Sequence, residues 1–399
     1  MTEPSHGDLA RVVRDHAGRL AASLVPLVGD FVTAEDLVQD AVETALTHWP
    51  IEGIPERPDA WLYTVARRRG LDLLRRESRY REKLARVPWP PEPAPDDRLR
   101  LIFTCCHPAL PRAAQVALTL RVVCGLTTAQ IARAFVVPEA TVAQRITRAK
   151  KKISDAGIPY RTPDADELGP RLAEVLAVIY LLFNEGYLSS NGLQVRDRDL
   201  EEDAEFLATL LHHLMPIEPE VSGLLALIRL HRARASARFD EHGGIVQLPH
   251  QDRSRWDHES IAEATRLIAR SAAAKRPGPY QLQAAIVACH AEAKTWEETD
   301  WMQIVVLYDL LLRLAPSPVT QLHRAVALRY VAGPAAALSE VESLAVALDD
   351  YHLFHATRAE LLRALSRSSE ASIADERALT LTSNPAERSL LRERWLRRR

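Results

Sequence analysis

The chain has 399 residues, 47% of them apolar and 26% charged. At about 150 residues per domain this predicts two or three domains with substantial cores, and it excludes both a stapled miniprotein and a disordered chain. A formal net charge of -2 neither favours nor excludes a nucleic-acid partner, while four cysteines (Cys105, Cys106, Cys124, Cys289) are too few for a disulfide framework and fit a reducing compartment. The average conceals a partition: residues 1–156 carry 23 Lys and Arg against 19 Asp and Glu, and the remainder carries 28 against 34. With 15 Gly, 25 Pro and runs rich in Ala, Leu, Arg and Glu, the chain is expected to be all-α. Charges at Glu3, Asp8, Arg11 and Arg14 break any leader pattern and no apolar run is long enough to span a bilayer, so a cytoplasmic location without membrane contact is expected.

In chain order, Leu9, Val12, Val13, Leu20, Leu24 and Leu27 recur at helical spacing, with Asp8 placed to cap the start. Thr33 followed by Asp36, with Leu37, Ala41, Ala45 and Leu46 behind, predicts an N-cap and an amphipathic helix. A third periodic run extends from Asp59 to about Lys83, and Trp61, Leu62, Val65, Ala66, Leu73 and Leu74 form its expected buried stripe. These helices make one unit, residues 1–86. Prolines 88, 90, 91, 93 and 95 deny helical hydrogen bonding and predict a stiff linker over 87–97.

The next unit, 98–156, opens with helices over Leu99–Cys105 and Arg112–Val123. Thr127 or Thr128 then caps a short helix through Phe135, Val136 and Val137 turn the chain, and Pro138 with Glu139 begins a longer helix that reaches Ile153. In that helix Val142 and Ile146 face inward, while Gln144, Arg145, Arg148, Lys151 and Lys152 face out. A short helix supporting a longer one with a polar, basic face suits a major groove: packing sets the angle, the N-terminal half meets base edges, and later cations meet phosphates. The alternative is an ordinary solvated helix of a bundle. A second break over 157–170 precedes a long helical region, 171–399.

From Arg67 to Arg86 nine Lys or Arg stand against three acids, which concentrates positive potential over a patch suited to a polyanion. Immediately upstream, residues 31–59 carry Glu35, Asp36, Asp40, Glu43, Glu52, Glu56 and Asp59 against Arg57 alone. Such a helix repels phosphate. It is either a docking face for a basic protein, with Asp36, Gln39 and Asp40 on adjacent turns, or a plain solvated surface.

The order TAEDLVQDAVETAL (33–46), DAWLYTVARRRGLDLLRRESR (59–79) and LTTAQIARAFVVPEATVAQRITRAKKKI (126–153) resembles the extracytoplasmic-function group of the sigma-70 family of bacterial RNA polymerase sigma factors. The resemblance implies a region 2 domain over 1–86 and a region 4 helix-turn-helix domain over 98–156. It implies that Asp36, Gln39 and Asp40 dock on the clamp helices of the largest subunit of core RNA polymerase, with the flap as a further contact. Arg68, Arg69, Asp72, Arg75, Arg76 and Arg79 would capture the -10 element. Glu139, Thr141, Gln144, Arg145, Arg148, Lys151 and Lys152 would read the -35 element, the two lysines mostly through phosphate. The implied partners are core RNA polymerase and promoter DNA, both duplex and locally melted.

Within 171–399, PSPVTQLHRAVALRYVAGPAAALSEVESLA (316–345) predicts two helices around Gly333 and Pro334 that resemble a tetratricopeptide unit, with a looser second unit over Tyr351–Leu381. LLFNEGYLSS, HQDRSRWD, GPYQLQAAI and APSPVTQLHRAVAL resemble a subgroup of these sigma factors with a fused repeat-like tail, which implies a regulatory or partner-binding extension and a protein regulator bound through it.

Catalysis finds no framework. Cys105, Cys106 and His107 offer poor zinc geometry and are expected in the core. His250, Asp252, Arg255, Trp256, Asp257, His258 and Glu259 bring acids and bases without a nucleophile elbow, phosphate loop or HExxH helix; the family resemblance implies instead a structural connection between tail helices, with Arg255 paired to Asp257. No catalytic residue, metal or cofactor is expected. The rival function is a stand-alone helix-turn-helix transcriptional regulator with a ligand- or protein-sensing helical domain; such a regulator binds its operator unaided, whereas a sigma factor needs polymerase.

Overall fold

The computed structural model describes residues 18–25, 27–76, 98–135, 137–188, 198–240, 244–382 and 388–392. Among the described residues the fold is all-α, with no strand beyond an isolated bridge between Phe239 and Ile245. The chain divides into two compact units, 1–185 and 186–399. The expected capped start at Asp8, the proline linker and Arg79 lie outside the described residues.

In the first unit, residues 18–25 and 27–28 are helical, followed by α1 (Phe31–Glu52) and α2 (Pro58–Arg76). Asp30, not Thr33, is the N-cap of α1: its Oδ1 accepts the Thr33 N–H at 2.8 Å. The carboxylate thereby satisfies one of the first-turn donors that the helix leaves open, and Thr33 falls inside the helix. α1 packs on α2, burying Leu37, Val38, Ala41, Leu62 and Ala66. Gly70 permits the close approach, because a Cβ there would lie 2.9 Å from Leu37 Cδ1. Leu73, expected in the buried stripe, is 44% exposed; it lies almost one turn beyond Gly70, where α2 outruns that packing.

The second half of this unit holds α3 (Arg98–Cys105), α4 (Arg112–Val122), α5 (Thr128–Ala134) and α6 (Glu139–Asp155). Leu101, Phe103, Leu118, Leu120, Ile131, Val142 and Ile146 are buried there. Thr127 and Gln130 form a reciprocal capping box at the start of α5: Gln130 N–H donates to Thr127 Oγ1 at 3.2 Å and Thr127 N–H to Gln130 Oε1 at 2.7 Å. α7 (Ala165–Leu188) begins inside the stretch 157–170 that was expected to be a linker. Arg161 bridges to Asp164 at 3.0 Å and Glu167 at 2.8 Å, and acids Asp166 and Glu167 suit the positive end of the helix. Arg171 donates to the Phe103 carbonyl at 2.6 Å and Arg112 pairs with Glu174 at 2.9 Å, so α7 is tied to α3 and α4.

The second unit contains α8 (Arg198–Leu214), α9 (Pro219–Arg232), α10 (His258–Ala273) and α11 (Pro279–Glu292). α9 contacts all three of the others and buries Val221, Leu224, Leu225, Leu227, Ile228 and Leu230, the all-round apolarity of a central helix. Gly223 lets α11 approach: a Cβ would meet the Gln281 backbone nitrogen at 2.7 Å. There follow α12 (Trp301–Leu314), α13 (Pro318–Glu342), α14 (Ala345–Leu348), α15 (His352–Ala364) and α16 (Ser368–Leu381). Gly333, at φ 85 and ψ 170, breaks α13 into two helical halves before Pro334, where the sequence placed the turn. Among the described residues no helix is long and apolar enough to cross a membrane.

Candidate functional site

α6 carries the basic surface. Val142, Ile146, Ala149 and Ile153 face inward. Gln144, Arg148, Lys151 and Lys152 are exposed and Thr141 and Arg145 half-buried. At 3.6 residues per turn these six fall on the outer side of the helix and one flank, while Glu139 and Lys150 share the other flank. Among the described residues Arg145, Arg148, Lys151 and Lys152 form no ion pair. Four cations without internal counter-charges leave their full potential to an external polyanion.

On α2, Arg68 is exposed. Arg69 is instead held across the helix pair, with Nη1 2.8 Å from Asp40 Oδ2 and Nη2 donating to Thr44 Oγ1 at 3.1 Å. A residue expected at the -10 element thus pairs with one expected at polymerase. Asp72 is exposed. Arg75 and Arg76 lie in the last turn of α2, and their side chains fall outside the described residues.

On α1, Asp36 and Asp40 have side chains 65% and 54% exposed, whereas Gln39 is only 6% exposed. Gln39 donates its amide to the Arg121 carbonyl at 3.3 Å. Beside it stands Glu35, 1% exposed, paired with Lys150 and, at 3.5 Å, with Arg121. Lys150 also reaches Asp36 Oδ1 at 2.6 Å. Burial raises the Glu35 carboxyl above its ordinary value, outweighing the opposing pull of Lys150 and Arg121. Burial would lower the Lys150 ammonium, but Glu35 and Asp36 overcome it and hold the group above its usual value.

Glu35, Arg121 and Lys150 were not singled out from the sequence. One signal was present: Glu35 occupies the helical stripe continued by Val38, Val42, Ala45 and Trp49, all buried. A carboxylate at such a position requires a cation nearby. Nothing in local periodicity says which.

Cys105 and Cys106 are 0% and 1% exposed, in the core as expected. Burial pushes the Cys105 thiol well up and the Cys106 thiol to about 12, and Cys289 is raised to about 11 by burial with Asp300 and Glu292 adding to it. Among the described residues no cluster of His, Cys, Asp and Glu has metal-binding geometry. In the HQDRSRWD segment Arg253 donates to the carbonyls of His290 and Ala293 at 2.6 and 2.8 Å and lies over the Trp256 ring. The segment fastens the end of α11. The expected Arg255–Asp257 pair does not form; the Asp257 carboxylate accepts instead from the Ser260 N–H at 3.0 Å and hydroxyl at 2.7 Å, capping α10.

Three family models match the chain. Residues 12–80 match Sigma-70 region 2, residues 100–153 match Sigma-70, region 4, and residues 171–272 match a family of unknown function, DUF6596. An uncharacterized protein of Rhizobium meliloti (strain 1021) is 46% identical over 379 residues, covering 90% of this chain and 88% of that protein. No solved structure matches.

Proposed function

We propose that this chain, which belongs to the sigma-70 family of RNA polymerase sigma factors and carries a helical carboxyl-terminal extension, acts in the cytoplasm as a member of the extracytoplasmic-function group. It recruits core RNA polymerase, reads the -35 and -10 elements of its promoters and assists strand opening. Thr141, Gln144, Arg145 and Arg148 face base edges of the -35 element, with Lys151 and Lys152 on phosphate and Glu139 at the start of the helix. Arg68, Asp72 and the run Arg75, Arg76 and Arg79 engage the -10 element, with Arg69 joining once released from Asp40. Asp36, Gln39 and Asp40 meet the clamp helices, and the polymerase flap is the remaining contact. No bond chemistry belongs to this role.

The observation that carries the reading is the row of exposed cations on α6 with no internal counter-charge, set in a helix-turn-helix within the region 4 match. The test is selective run-off initiation by core polymerase from a library of promoter fragments. Full-length protein should co-purify with core and confer that selectivity. Tight, selective DNA binding without polymerase, and no initiation with it, would identify a stand-alone regulator instead.

The extension acts as a tetratricopeptide-like regulatory domain that binds a protein. Support comes from the paired helices on either side of Gly333 and from α15 with α16. A chain ending at Leu188, which keeps α7, should differ from full-length protein in transcription; equal activity and promoter occupancy would remove the regulatory role.

A further inference from the structure

In the second unit the start of α10, the end of α11 and the segment that precedes α10 frame a cavity of about 610 Å³, within the size range of small-molecule sites. Ile261, Ala262 and Thr265 line it from one face of α10. Ala291 and Ala293 line it from the end of α11 and just past it, and Trp256, 4% exposed, completes the wall. The space persists because Ala262, Ala291 and Ala293 stop at a methyl group where longer side chains would fill it.

Donors outnumber acceptors at this wall. Arg253 gives Nη1 to the His290 and Ala293 carbonyls, which fixes its guanidinium beside the cavity. Its Nη2 and the Trp256 indole N–H, both buried, have no hydrogen-bond partner among the described residues. Lys294 lines the same cavity, is exposed and forms no ion pair among the described residues. Glu292, the acid among the lining residues, accepts from the Thr265 hydroxyl at 2.6 Å. Burial and the nearby Arg234 hold Arg253 below its ordinary value against a smaller pull from Glu297, as expected of a cation short of counter-charge. Counting His258 as neutral, Arg253 and Lys294 against Glu292 leave a single positive charge.

We propose that this cavity binds a small organic acid, with its carboxylate between Arg253 and Lys294 and its apolar body against Trp256, Ile261 and Ala262. Arg253 and Trp256 belong to the HQDRSRWD segment, so the residues that fasten the end of α11 also form the ligand wall. The site lies wholly within the second unit and stands independently of the sigma-factor reading.

The test is isothermal titration calorimetry of the full-length protein with 2-naphthoate and with its uncharged analogue 2-naphthamide. 2-Naphthoate should bind saturably, with a dissociation constant at or below about 1 mM, and about tenfold or more tighter than the amide. Lys294→Glu should weaken 2-naphthoate about tenfold and leave 2-naphthamide within about twofold. Ala262→Trp fills the cavity and should weaken both probes about tenfold or more. Both positions are exposed, and urea midpoints matching wild type serve as the control for folding. Absence of saturable 2-naphthoate binding to wild type, or binding that neither substitution weakens, would overturn the site. Equal affinity for acid and amide would overturn the anionic class of ligand.

Discussion

In the extension, Arg229 is held by Glu205 and Glu263, Arg324 by Asp309 and Glu340, and Arg363 by Asp375. On the outer side of α6, Arg145, Arg148, Lys151 and Lys152 form no such pairs among the described residues. The two regions contain the same kind of residue, yet in one the positive charge is neutralised within the fold and in the other it faces water. Availability of charge, rather than its count, separates a scaffold from a polyanion-binding surface. This is why a chain with net charge -2 is able to present a strongly basic helix.

The sharpest break of that contrast is Arg363→Ala. It leaves Asp375, 1% exposed, without its cation, and unfolding of the extension in urea should show a loss of about 3–5 kcal/mol. A loss under about 1 kcal/mol would place the pair among surface bridges that contribute little.

The extension core also excludes a further positive charge. Burial, with Arg234 and Arg253 nearby, lowers His290 from its ordinary 6.5 to about 4. Its folded value is depressed, so the stability linked to neutral His290 is fully present above pH 6.5 and is lost as pH falls from there toward 4. The expected loss is about 3 kcal/mol, and His290→Gln should flatten that limb of a stability-against-pH curve. An unchanged slope would remove His290 as its source.

On α6 the expected cost is functional. Arg145→Ala should weaken -35 recognition by about 1–3 kcal/mol for the preferred sequence if the guanidinium meets a base edge; an equal loss on unrelated DNA would move it to phosphate. Lys151→Ala should have the smallest effect, reducing the salt dependence of DNA binding by about one counterion while leaving the unfolding midpoint unchanged. A shift in that midpoint would show that Lys151 is neutralised internally, and the contrast with the extension would narrow.

Features set by neighbours in sequence were readable before any coordinates. The inward-facing Val142 and Ile146, the start of α6 after Pro138 and the break at Gly333 all follow from helical spacing and from residues that restrict backbone angles. Even close to the chain, competing options misled: Asp30 and Thr33 both suit a cap, and only the geometry shows Asp30 accepting. The stretch 157–170 reads as a break, yet α7 begins within it at Ala165 and carries Pro170, anchored by Arg171 on Phe103. The least legible feature is Glu35 with Lys150, 115 residues apart. Their pairing depends on how two modules pack, and each looks locally like one more surface charge.

The sulphur chemistry has its own consequence. A thiolate, not a thiol, attacks peroxide or disulfide reagents, and the buried Cys105, Cys106 and Cys124 are shielded from both, while Cys289 stays protonated at neutral pH. Oxidants therefore meet no ready thiolate at these four cysteines, and a signal of oxidative stress is expected to reach this polypeptide through binding rather than through cysteine chemistry.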